Sequence, residues 1–99
     1  MEIQIRGVNV EVSELLRTHV SRRLDFALGR VAEIGQVLVR LSHTRGDRGG
    51  VDKRCQMELG QHPRIVRVEG SATNLFAAVN HASHRLKRAA TQALGREHA

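Results

Sequence analysis

The chain is expected to fold as an α+β domain of order β-α-β-β-β-α, with two helices packed on one face of a four-stranded mixed sheet. Three observations predict this. Four short segments alternate apolar and polar residues, and two longer ones carry apolar residues at helical spacing. The strand face opposite the apolar one is built from Gln4, Arg6, Arg40, Arg54, Gln56, Glu58, Arg67 and Glu69, so only one side of the sheet asks for cover.

The first strand is "EIQIR", with Ile3 and Ile5 on one side and Gly7 as its end. In "VSELLRTHVSRRLDFALGRV" Ser13 is a natural N-cap with Glu14 in the first turn. Leu16, Val20, Leu24, Ala27 and Leu28 then form the apolar stripe of the first helix. "IGQVLVRLS" places Val37, Val39 and Leu41 on one face of a second strand. A helix between these strands predicts a parallel pair with a right-handed crossover.

"HTRGDRGG" reads as a charged glycine-rich loop, and the strand after it sets Val51, Lys53, Cys55, Met57 and Leu59 against Asp52, Arg54, Gln56 and Glu58. "HPR" turns the chain into "IVRVEG", with Val66 and Val68 inward. Short connections make the last three strands antiparallel. The second helix starts behind an Asn74 cap, runs Leu75, Val79, Ala82, Leu86, Ala90 and Ala93 along its core line, and stops near Gly95.

The 99 residues make a single domain, 1–99, with 40% hydrophobic and 26% charged side chains, an ordinary globular balance. No apolar run reaches the roughly 20 residues that span a bilayer, and the N-terminus lacks a signal-peptide pattern, so a cytoplasmic protein without membrane contact is expected. The single cysteine, Cys55, lies mid-strand on the inward face, the place of a buried structural thiol. "HASH" sets His81 and His84 three apart, but no carboxylate or thiol accompanies them on that helix, and no metal or other cofactor is expected. His43 and His62 are loop residues without a visible partner. No acid-base pair, phosphate loop or dinucleotide fingerprint emerges, which argues against an enzyme and against a small-molecule substrate.

Charge is more informative. Sixteen Lys and Arg face ten Asp and Glu, a formal +6, and from Gly70 to Arg96 there are four basic residues and no acid. A polyanion is the first partner to consider. On the second helix His81, Arg85, Arg88 and Gln92 share a stripe beside the core line; on the first, His19, Arg22, Arg23 and Arg30 share a side with Phe26. Side by side, these edges would form a continuous basic surface; as isolated charge runs they would be no more than solvated faces. With no Trp, no Tyr and two Phe, backbone and shape recognition of structured nucleic acid fits better than base readout. Phe76 reads as core, leaving Phe26 as a candidate stacking platform.

"IQIRGVNVEVSELLRTHVSRRL" near the start and "VEGSATNLFAAVNHASHRLKRA" in the last third resemble the short ribosome hibernation-promoting factors, also called ribosome-associated inhibitor or sigma-54 modulation proteins. The resemblance implies the β-α-β-β-β-α fold, and binding to the small ribosomal subunit and its ribosomal RNA in the messenger and transfer RNA channel, which silences idle ribosomes. The family's basic positions match Arg23 on the first helix and Arg85 and Arg88 on the second, with Arg17 basic in many members; Arg22, Arg30, His81 and Lys87 join them by helical face or charge. Arg23, Arg85 and Arg88 would clamp phosphates while the sheet sets the spacing of the helices. Asn74, Phe76 and Gln92 depart from the family's usual acid, tyrosine and lysine, and the "SATN" loop reads as longer. The chain ends where longer relatives continue into a dimerisation domain, so pairing of ribosomes by that route is not expected. Two further readings stand beside this one: a general structured-RNA binder, and a protein-interaction module for an acidic partner.

Overall fold

The computed structural model describes residues 2–29, 35–44, 52–61 and 64–97. Val51, His62 and the glycine-rich 46–50 loop lie outside the described residues, as does the side chain of Ala93. The elements are β1 (Glu2–Val8), α1 (Glu14–Leu28), β2 (Gln36–His43), β3 (Lys53–Gln61), β4 (Arg64–Ala72) and α2 (Leu75–Glu97). The four strands lie in the order β1-β2-β3-β4, with β1 parallel to β2 and the other two pairs antiparallel. The β-α-β-β-β-α expectation holds.

Local chemistry accounts for the helix starts. The Ser13 side chain accepts a hydrogen bond from the Leu16 N–H at 3.1 Å, with Glu14 in the first turn of α1. Asn74 Oδ1 does the same for the Ala77 N–H at 2.8 Å. Gly29, with φ 39°, closes α1 in a conformation that costs other residues more.

Three boundaries differ from the sequence expectation. β1 continues through Gly7 to Val8, because Gly7 still pairs with Leu41 and Val8 with Ser42. Gly7 does not break the strand; it makes room for the returning chain, since a Cβ there would lie 2.7 Å from the Val10 carbonyl oxygen. β4 takes up Ser71 and Ala72, which pair with Arg54 and Lys53, so the "SATN" loop shrinks to Thr73 and Asn74. The helix does not stop near Gly95 but runs to Glu97: a helical glycine costs only about 1 kcal/mol relative to alanine, and no proline follows it.

The core lies between the sheet and the helices. Leu16, Val20, Leu24 and Leu28 of α1, and Ala78, Val79, Ala82, Leu86 and Ala90 of α2, are buried together with Val37, Val39, Leu41, Cys55, Met57 and Leu59. Ile3, Ile5, Val66 and Val68 on the outer strands pack against the same cluster. The alternate residues Gln4, Arg40, Arg67 and Glu69 are exposed on the other face, where Arg67 meets Glu58 at 3.4 Å.

His43 has partners that the sequence does not reveal. It is the last residue of β2, its Nδ1 lies 2.7 Å from the Lys53 ammonium, and Lys53 also reaches Asp52 at 3.2 Å. Lysine can only donate, so His43 Nδ1 accepts. The hydrogen bond from Lys53 holds the Asp52 carboxyl below its ordinary range.

Cys55 is buried, and desolvation pushes its thiol up to about 12. Native protein at neutral pH is therefore expected to resist iodoacetamide, with labelling tracking urea unfolding; rapid labelling of the folded state by mass spectrometry would place Cys55 outside the core.

Candidate nucleic-acid interface

Strand directions set the arrangement of the helices. β1, β2 and β4 run one way and β3 the other, so α1, leaving β1, and α2, leaving β4, both return in the same direction. The two helices lie parallel, in register along their length. His19 Nε2 is 2.7 Å from Asn80 Oδ1, Arg23 Nε donates to Ser83 Oγ at 3.1 Å, and the Lys87 ammonium stands 5.0 Å from the Phe26 ring centroid. Each contact follows the last by about one helical turn.

Ser83 carries the middle of this seam. Its side chain is fully buried and satisfied at both ends, donating to the Asn80 carbonyl at 2.9 Å while accepting from Arg23. The bond uses one of the five N–H donors of the guanidinium and leaves the terminal four without a hydrogen-bond partner among the described residues. Arg23 is thus aimed rather than neutralised.

Beyond Ser83 the helices frame a groove of about 370 Å³, lined by Arg23, Phe26, Ser83, His84, Lys87 and Arg88, with Thr91 and Gln92 at its far end. No lining residue is acidic. Three permanent cations facing one concavity without a counter-charge make a local positive potential that favours a polyanion. Arginine adds planar, bidentate geometry toward phosphate oxygens.

The residues singled out by sequence fall into separate places. Arg23, Lys87 and Arg88 come together in the groove. Arg85 and His81 turn to the opposite flank of α2, where Arg85 Nη1 donates to the Glu69 carbonyl at 2.6 Å and His81 Nδ1 lies 3.1 Å from the Ser71 carbonyl. β4 is an edge strand, and its outward carbonyls draw these two side chains over the sheet edge. The expected stripe of His81, Arg85, Arg88 and Gln92 is therefore divided rather than continuous with α1. Arg17 and Arg22 are exposed on α1 outside the groove. Arg30 lies outside the described residues.

Phe76 is not a core residue. It is 37% exposed on the first turn of α2 and meets the His19 ring edge-on, centroids 5.1 Å apart. Sequence reasoning passes over Asn80, Ser83 and Thr91 as interface residues, and it singles out His84 only as half of a possible metal pair. The available signal is a buried-looking serine in an alanine-rich helix, which marks the flank where a second helix makes a polar contact. His81 and His84 face different surroundings, one over β4 and one in the groove, so they do not converge on a metal; among the described residues no group of three His, Cys, Asp or Glu could hold one. Among the described residues, no helix is long and apolar enough to cross a membrane.

A family model described as Sigma 54 modulation protein / S30EA ribosomal protein matches residues 3–97. The chain belongs to this family. Its members are ribosome-associated factors, not enzymes. Among solved structures, the chain is similar to the N-terminal domain of Thermus thermophilus Protein Y, with 26% identity, a TM-score of 0.67 and coverage of 89% of this chain and 93% of that one. A ribosomal subunit interface protein from Coxiella burnetii shares the fold at 16% identity, with a TM-score of 0.77 and coverage of 95% and 99%. No curated protein matches the chain.

Proposed function

We propose that this domain binds the small ribosomal subunit in the cytoplasm by seating ribosomal RNA phosphates in the groove between α1 and α2. It thereby occupies the messenger and transfer RNA channel and inhibits translation on idle ribosomes. The observation that carries the reading is the acid-free groove in a member of this family, with Arg23 held by Ser83 and Lys87 and Arg88 standing opposite. Arg17 and Arg22 on α1, and Arg85 on the far flank of α2 with His81 beside it, extend the binding surface to neighbouring phosphates. The mechanism is occupancy: the sheet and the helix seam fix the spacing of the two helices, and Ser83 the aim of Arg23, in advance, so part of the ordering cost is met before binding. No cofactor, metal or turnover is involved.

Co-sedimentation with purified small subunits across a salt series tests this. Saturable one-to-one binding that resists competing bulk RNA, with affinity falling by orders of magnitude between about 50 and 200 mM salt, is the expected result. Binding displaced by bulk RNA would reassign the domain to general structured-RNA recognition. Binding indifferent to salt and nuclease would point to an acidic protein partner.

A further inference from the structure

We propose that the groove holds one unstacked RNA base, with Phe26 as its stacking surface and Lys87 and Arg88 on the phosphates that flank it. The proposal rests on RNA as the ligand and deepens that reading by adding a base contact to a backbone one.

Phe26 is the central residue. It is 69% exposed, a large apolar ring left in water, yet it lies in a concavity rather than on an open convex surface. Two cations attend it, the Arg23 guanidinium carbon at 5.8 Å and the Lys87 ammonium at 5.0 Å from the ring centroid. Neither arrangement covers the ring. An apolar surface flanked by positive charges matches a flat aromatic group attached to negative ones, which is the chemistry of a nucleotide within a strand.

The dimensions agree. The groove of about 370 Å³ lies at the lower end of the range for sites that enclose a small ligand, so it suits a single nucleotide and not a duplex. Two of its lining residues, His84 and Gln92, have no side-chain hydrogen-bond partner among the described residues, and each offers polar ring or amide atoms to the edge of a base. Arg23 is fixed at Nε by Ser83, so the base need not organise it. Lys87 is the mobile partner: it leaves the ring for a phosphate as the base arrives. The scarcity of aromatics points away from base readout along a strand, but one platform suffices for one base.

The test uses three hairpin RNAs: one with a single 2-aminopurine bulge, one with an abasic residue at the bulge, and one fully paired. Wild-type protein should prefer the bulged base over the abasic hairpin by roughly tenfold, with the 2-aminopurine emission changing on binding. Phe26→Leu, which keeps apolar bulk without a π face, should bring that ratio to within about twofold, and Phe26→Tyr should restore it. Equal binding of bulged and abasic hairpins by the wild type, or an undiminished ratio in Phe26→Leu, would overturn the proposal. So would stronger occupancy by an acidic peptide carrying one phenylalanine. Base preference without sedimentation on small subunits would discard the ribosomal reading and keep this one; sedimentation without base preference would do the reverse.

Discussion

Changing Lys87 and Arg88 together to glutamate is expected to weaken binding to small ribosomal subunits by about two orders of magnitude. Each contributes a charge-assisted contact to phosphate, worth about 1.5 kcal/mol, and together about 3 kcal/mol corresponds to a hundredfold or somewhat more. Replacement by acids adds repulsion, so this figure is a lower bound. Both side chains are exposed, and neither forms an ion pair among the described residues, so folding should hardly notice. Within the protein the change removes the Lys87 ammonium from the Phe26 ring, an interaction worth about 0.5–1 kcal/mol at an exposed site. Co-sedimentation gives the affinity, and urea denaturation gives the stability on the same samples. Arg85→Glu is the informative comparison, because its guanidinium already lies on the Glu69 carbonyl at the edge of β4, outside the groove. It should cost about tenfold or less. An Arg85→Glu defect equal to that of the double change would move the binding surface to the β4 flank, and wild-type affinity in the double change would remove phosphate contact at the groove altogether.

The contrast between Arg85 and Lys87 also shows how far the sequence reaches. Alternation locates all four strands, because each buries one face and the side-chain period is two. Ser13 and Asn74 mark the helix starts, because an N-cap needs a short polar side chain where helical spacing begins. The spacing of Leu75, Val79, Ala82 and Leu86 defines the buried side of α2, but it says nothing about which flank meets α1 and which meets the sheet edge. That choice depends on strand order and on the unpaired carbonyls of Glu69 and Ser71, neither of which is local. Helical spacing therefore groups Arg85 and His81 with Arg88 although they turn the other way. Phe76 is misplaced for a related reason: hydrophobicity alone cannot separate a core residue from one that covers the end of a helix pair. Ser83 lies on the buried flank, and its role becomes visible only once Arg23 stands opposite.

The position of α2, which supplies one wall of the groove, is set in part by its close approach to β4 at Gly70. A Cβ at Gly70 would stand 2.5 Å from the Ala82 amide nitrogen, 2.6 Å from the Ala78 carbonyl oxygen and 2.8 Å from His81 Cβ. These are chiefly helix backbone atoms, which cannot rotate away as the tip of a side chain can. Gly70→Ala must therefore lift α2 from the sheet by close to an ångström, against a two-residue connection at Thr73 and Asn74 that ties the helix to the end of β4. Lifting loosens the packing of Val79, Ala82 and Leu86, all fully buried. The expected loss is about 3 kcal/mol, at the upper end for overpacking, and a thermal midpoint lower by roughly 12–24 °C for a domain of this size. Gly29→Ala is the control: its Cβ would meet nothing within 4 Å, and the cost is local backbone strain at φ 39°, about 1–3 kcal/mol, with no displacement of α2. The two substitutions also separate on binding, measured well below either midpoint. Gly70→Ala shifts the helix that supplies Ser83, Lys87 and Arg88, so the Arg23–Ser83 bond and the spacing of the cations should change and subunit affinity should fall even in folded protein. Gly29→Ala leaves the helix seam where it is and should bind as the wild type does. A Gly70→Ala protein with a midpoint within a few degrees of wild type would show that α2 can ride higher on β4 without loss, and the groove would then owe its shape to the contacts between the helices rather than to the sheet beneath them.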